Sequence, residues 1–154
     1  MAKPTGFADQ DSRQTQESRR SRKDENMRIA LTSIYVDDQD KAERFYTEVL
    51  GLKTKTSAPY GPGERWLTVV SPEDPDGFEL SLHMTDQPAQ AFQEACRSTG
   101  RPMMSLRTDD CRRDVERLEA KGVVFVAEPA RREYGGVDAV FDDTCGNLIN
   151  LHQD

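Results

Sequence analysis

One pattern is written twice along this chain, and it leaves few folds open. Ile34-Tyr35-Val36-Asp37-Asp38 has a counterpart in Leu106-Arg107-Thr108-Asp109-Asp110. In both, an alternating apolar run, hence a strand, meets acidic residues that can cap a helix start. After the first, Ala42, Phe45, Tyr46, Val49 and Leu50 share a helical stripe that stops at Gly51; after the second, Val115 and Leu118 lead to a stop at Gly122. Three strand candidates follow each glycine: 52–56, 65–70 and 78–83, then 123–127, 137–141 and 147–152. Turn chemistry separates them, as in Tyr60-Gly61-Pro62-Gly63 and Tyr134-Gly135-Gly136. The unit is βαβββ, occurring over about 28–86 and 101–152, with Ala91, Phe92 and Ala95 marking a linker helix over about 88–99. The pattern predicts an α+β domain over 27–154, in which two curved half-sheets enclose a central cleft and the helices lie outside.

Side chains alternate across a strand, so each strand divides into two sets. Ile34 and Val36 oppose Leu31, Ser33 and Tyr35, and Phe78, Leu80 and Leu82 oppose Glu79, Ser81 and His83. In the second half, Met104 and Leu106 oppose Met103, Ser105 and Arg107, and Ile149 and Leu151 oppose Leu148, Asn150 and His152. One set is apolar and belongs under the helices. The other is mixed, as expected for a wet cleft that binds a small molecule.

Composition narrows the function classes. Residues 1–26 hold almost nothing apolar beyond Phe7, predicting a disordered polar tail with no secretory signal. That tail carries a net +1, leaving −8 for the remainder of a chain whose total is −7. Such an acidic domain is a poor partner for nucleic acid or anionic membrane and suits a cationic small molecule. No apolar run approaches the roughly 18 residues of a membrane span. Cys96, Cys111 and Cys145 have no CxxC spacing, which suits a reducing, cytoplasmic compartment. Cys145 falls in a turn-like Asp-Thr-Cys-Gly-Asn run and reads as an ordinary, accessible thiol. There is no nucleophile elbow, phosphate loop or dinucleotide fingerprint.

Val36-Asp37-Asp38, Phe45-Tyr46, Val49-Leu50-Gly51 and the closing Phe141-Asp142-Asp143-Thr144-Cys145-Gly146-Asn147 resemble the vicinal oxygen chelate superfamily of glyoxalases, bleomycin resistance proteins and extradiol dioxygenases. The resemblance spans about residues 28–152 and implies the fold far more than the reaction. It also implies four divalent-metal ligands, from strands one, four, five and eight. Those positions fall here on Leu31, on Glu79 or Ser81, on Met103 and on Asn150, so no metal or other cofactor is expected. A displaced metal site using His83 and His152 is the alternative. Glu79 and His83, four residues apart on one strand, lie about 13 Å apart at Cα and cannot share an ion.

These readings lead to a metal-free ligand-binding member resembling the drug-sequestering bleomycin resistance proteins. Tyr35, Tyr60 and Trp66 would wall the ligand, with Glu79, Ser81, Arg107 and Asn150 orienting it. Trp66 can equally be read as a core residue of its strand. The resemblance implies a homodimer. The competing reading is a lyase, isomerase or dioxygenase, metal-dependent or using Glu79 as its catalytic base. A third is an interaction protein with no ligand.

Overall fold

The computed structural model describes residues 27–154, so the tail expected over 1–26 lies outside the described residues. Strand β1 (Leu31–Val36) leads to helix α1 (Gln39–Arg44), whose axis continues as a π turn over Phe45–Val49. Strands β2 (Lys53–Pro59), β3 (Arg65–Val70) and β4 (Glu79–Met84) complete the first module. Helix α2 (Gln87–Ser98) links it to the second: β5 (Met104–Arg107), α3 (Cys111–Glu119), β6 (Phe125–Arg131), β7 (Val137–Asp142) and β8 (Leu148–Gln153). The sheets run β1-β4-β3-β2 and β5-β8-β7-β6, the first two strands of each being parallel and the rest antiparallel. The protein is an α+β fold of two paired βαβββ modules.

Local chemistry explains the boundaries. Asp38 and Asp110 cap α1 and α3, their carboxylates accepting from the backbone N–H groups of Lys41 and Arg113 at 2.9 and 3.0 Å. Strands β2 and β6 begin later than the apolar runs suggest. The residues after each helix stop are still tied back to it, Leu52 N–H donating to Tyr46 and Val123 N–H to Leu118. Strand β6 also extends through Pro129, where a shift in pairing register between Ala127 and Ala130 accommodates a residue with no N–H. Phe78 falls outside β4 and is 47 % exposed, because pairing with the first strand starts at Glu79, whose N–H donates to Ala30.

Both modules feed one core. Ile34, Val36, Leu67, Val69, Leu80 and Leu82 join Ala139, Phe141, Ile149 and Leu151, with Phe45, Tyr46, Val115 and Leu118 from the helices. The Phe45 and Phe141 rings meet across the modules at 6.3 Å. A buried polar network reinforces that seam. Tyr46 Oη donates to Asp143 at 2.8 Å, and Asn147 Nδ2 donates to Asp143 at 2.7 Å and to the Tyr35 carbonyl at 2.8 Å. Gln93 of α2 donates to the same carbonyl at 2.9 Å. Burial pushes the Asp143 carboxyl up, and these donors oppose it. The Asp143–Asn147 turn is thus a joint between the modules.

Candidate functional site

The mixed faces of the sheets form two polar walls. On the first, Tyr35 pairs in register with His83 on the neighbouring strand. The His83 ring meets Trp66 at 5.4 Å, and Trp66 meets Tyr60 at 5.7 Å. An aromatic row therefore runs across β1, β4 and β3 to the loop after β2. Trp66 is half-buried in this row and is not part of the core; Tyr35 and Tyr60 are 36 % and 53 % exposed. Glu64, which the sequence reading passed over, lies 3.5 Å from His83 Nδ1 and accepts from Met84 N–H.

Glu79 lies beside Leu31 on this wall and pairs with Lys55 at 2.9 Å. Hydrogen bonds, that of Lys55 foremost, hold its carboxyl below the usual range. A carboxylate so stabilised is a weaker proton acceptor. Ser81, expected to orient a ligand, is fully buried, with its hydroxyl directed at the Leu67 carbonyl. It sits in register between Ser33 and Thr68 of the flanking strands.

The second wall is organised by Asp138, which is 3 % exposed. It accepts from Tyr134 Oη, from Arg132 Nε at 3.3 Å and from Asn150 Nδ2 at 3.4 Å, and lies 2.6 Å from His152 Nδ1. Burial works against its charge, but the hydrogen bonds from Tyr134, His152 and Asn150 outweigh it and hold the carboxyl low. The same contact raises the His152 imidazole. Asn150 also donates to Ser105 at 3.0 Å, and Arg107 pairs with Asp154 near the chain end. A cavity of about 530 Å³ opens here, lined by Ser105, Arg132, Tyr134, Asp138 and Asn150. The sequence reading missed Asp138; the available signal was a lone carboxylate in the apolar run Val137-Asp138-Ala139-Val140-Phe141.

Glu79 and Trp66 share the wall built on the β1-β4-β3-β2 sheet, and Arg107 and Asn150 the one built on β5-β8-β7-β6. The donor set does not fit the divalent metal implied by the resemblance. Leu31 and Met103 offer no hard donor, Glu79 is held by Lys55, and Asn150, its amide nitrogen donating to Ser105 and Asp138, offers only a neutral carbonyl oxygen. His83 and His152 stand on separate walls with separate partners. The three cysteines are free and buried. The accessible thiol expected at Cys145 is instead 1 % exposed, and burial pushes it up to about 12, which suits no nucleophile. Among the described residues no helix is long and apolar enough to cross a membrane.

Residues 28–151 match the family model described as Glyoxalase/Bleomycin resistance protein/Dioxygenase superfamily. The chain is 45 % identical over 128 residues to the uncharacterized protein YurT of Bacillus subtilis (strain 168), covering 82 % of this chain and 99 % of that one. It is 34 % identical over 125 residues to an uncharacterized protein of Shewanella frigidimarina (strain NCIMB 400), covering 81 % and 92 %. Among solved structures, UcmS2 aligns with a TM-score of 0.71 at 32 % identity, covering 84 % of this chain and 99 % of UcmS2. TnmS3, an antibiotic binding protein from Streptomyces sp. CB03234, aligns with a TM-score of 0.65 at 31 % identity, covering 84 % and 97 %.

Proposed function

The chain belongs to the Glyoxalase/Bleomycin resistance protein/Dioxygenase superfamily, and from that premise we propose that it binds and sequesters a small aromatic molecule without a metal. The row Tyr35, His83, Trp66 and Tyr60 carries the reading. Four rings on one partly solvated sheet face give a stacking surface that a fold has no need to leave uncovered. The likeness to an antibiotic binding protein supports the same function. Glu64 beside the His83 ring, and a net charge of −7, suit a ligand bearing a positive charge, to which ring faces are also attractive. Homodimerisation fits the two walls, since a second copy can set Arg107 and Asn150 opposite the aromatic row. Three free buried thiols suit the cytoplasm.

A catalytic reading has one observation in its favour, the Asp138–His152 pair, better arranged for proton transfer than Glu79 tied to Lys55. Binding is tested directly, because Trp66 is the one tryptophan of the chain. Titration with aromatic cations and antibiotics should quench its emission saturably and raise the melting temperature. The Trp66→Leu protein should lose the thermal gain. A screen in which no compound changes either signal would overturn the proposal.

A further inference from the structure

The internal repeat allows one half of the molecule to be used as a control for the other. In the first half the seat between α1 and the far turn of the opposite module is filled. Phe45 packs on Phe141, Tyr46 bonds Asp143, and Lys41 Nζ bonds the Thr144 carbonyl at 2.8 Å and Asp37 at 2.7 Å. Matching Val36-Asp37-Asp38 to Thr108-Asp109-Asp110 sets Arg113 in the place of Lys41, Arg117 in that of Phe45, Leu118 in that of Tyr46 and Asp109 in that of Asp37.

Among the described residues nothing fills that second seat. A cavity of about 430 Å³ lies there, between α3 and the β3–β4 turn, reached by Ser71 and Glu73 of the turn. Two ring side chains of the first seat are replaced by an arginine and a leucine, and the Arg113 side chain makes no bond to the turn among the described residues. The floor is apolar and drawn from both modules: Leu50, Leu106, Leu118, Phe141 and Leu151. The mouth is charged. Arg117 is paired with Asp114 and Arg107 with Asp154, which leaves Arg113, Glu73 and Asp109 without an ion-pair partner among the described residues.

We propose that this cavity is a second binding site, apart from the aromatic row, for a small zwitterion with an apolar body, such as an apolar α-amino acid. The body lies on the leucine and phenylalanine floor. The carboxylate meets the Arg113 guanidinium, and the ammonium meets Glu73 and Asp109. A ligand with one charge forgoes one of the two charge-assisted contacts at the rim, which is the basis of selectivity.

The test is calorimetry on the full chain with L-phenylalanine, 3-phenylpropionate and phenethylamine as probes. L-Phenylalanine should bind saturably at one per chain, and each singly charged analogue should bind about tenfold more weakly or worse. Arg113→Gln should erase its advantage over the amine, and Glu73→Gln with Asp109→Asn its advantage over the carboxylate. Leu50→Trp, at a half-buried lining position, should block binding while circular dichroism shows a folded chain. The proposal is overturned if L-phenylalanine does not bind, if it binds no better than either analogue, or if the charge variants leave its advantage unchanged.

Discussion

Trp66 and Asp138 occupy the same place in the two modules, each on the third strand facing a histidine, and the difference between them sets what each wall can do. Trp66 gives His83 a ring to meet at 5.4 Å; Asp138 gives His152 a carboxylate at 2.6 Å. One wall stacks and the other holds charge. The Asp138–His152 pair makes stability depend on pH with a definite sign. His152 is raised from 6.5, so its contribution is complete below that value and is lost as pH rises through the folded one. Asp138 is lowered from 3.8, so its contribution is present above that value and is lost as pH falls through the folded one. The pair is therefore intact between 3.8 and 6.5. An NMR titration of His152 should give a midpoint above 6.5, and Asp138→Asn should bring it down. A wild-type midpoint at or below the ordinary value would show that the pair does not form. Glu79 and Arg107 behave differently, being partners in ion pairs open to water. Glu79→Ala and Arg107→Ala should each change stability by less than about 1 kcal/mol, since exposed pairs contribute little. Loss of folding in either variant would show a buried structural role.

Helix α1 shows how an element absorbs a change in length. Gly51 follows its cap Asp38 by one residue more than Gly122 follows Asp110, and a π turn, Phe45–Val49, takes up the extra residue. Phe45 and Tyr46 both stay buried, and each helix still ends at a glycine in the left-handed region, with φ of 85° and 87°. At the other ends the caps are simple exposed Asp contacts. Asp38→Ala and Asp110→Ala should each lower the melting temperature, and the double variant should lose about the sum, because the two caps share no partner. Thermal or urea unfolding measures it, and a double variant no weaker than either single one would refute independent caps.

At the scale of the whole molecule, the modules are joined by one core and by the Asp143–Asn147 joint, while their polar walls keep separate partners. The proposed cleft, in which a second copy sets the charged wall opposite the aromatic row, predicts a homodimer. Light scattering at micromolar concentration should give about twice the 17.4 kDa of one chain. A mass near one chain would leave the aromatic row one-sided and count against the composite cleft.

The sequence by itself determined the repeat, the strand and helix order, the two Asp caps and the glycine stops, because periodicity and capping act within a few residues. It also put Tyr35 and Glu79 in the mixed sets of their own strands, since alternation along a strand is a local rule, but left Trp66 open between wall and core. It could not assign Cys145, Ser81 or Asp138. Cys145 sits in a turn, but that turn is driven into the seam by the bonds from Tyr46 and Asn147, so the thiol is buried. Ser81 is buried with its hydroxyl directed at the Leu67 carbonyl, and Asp138 is held by donors from a different strand and loop. Solvent exposure and ion pairing between distant residues belong to packing, and tertiary structure alone decided them.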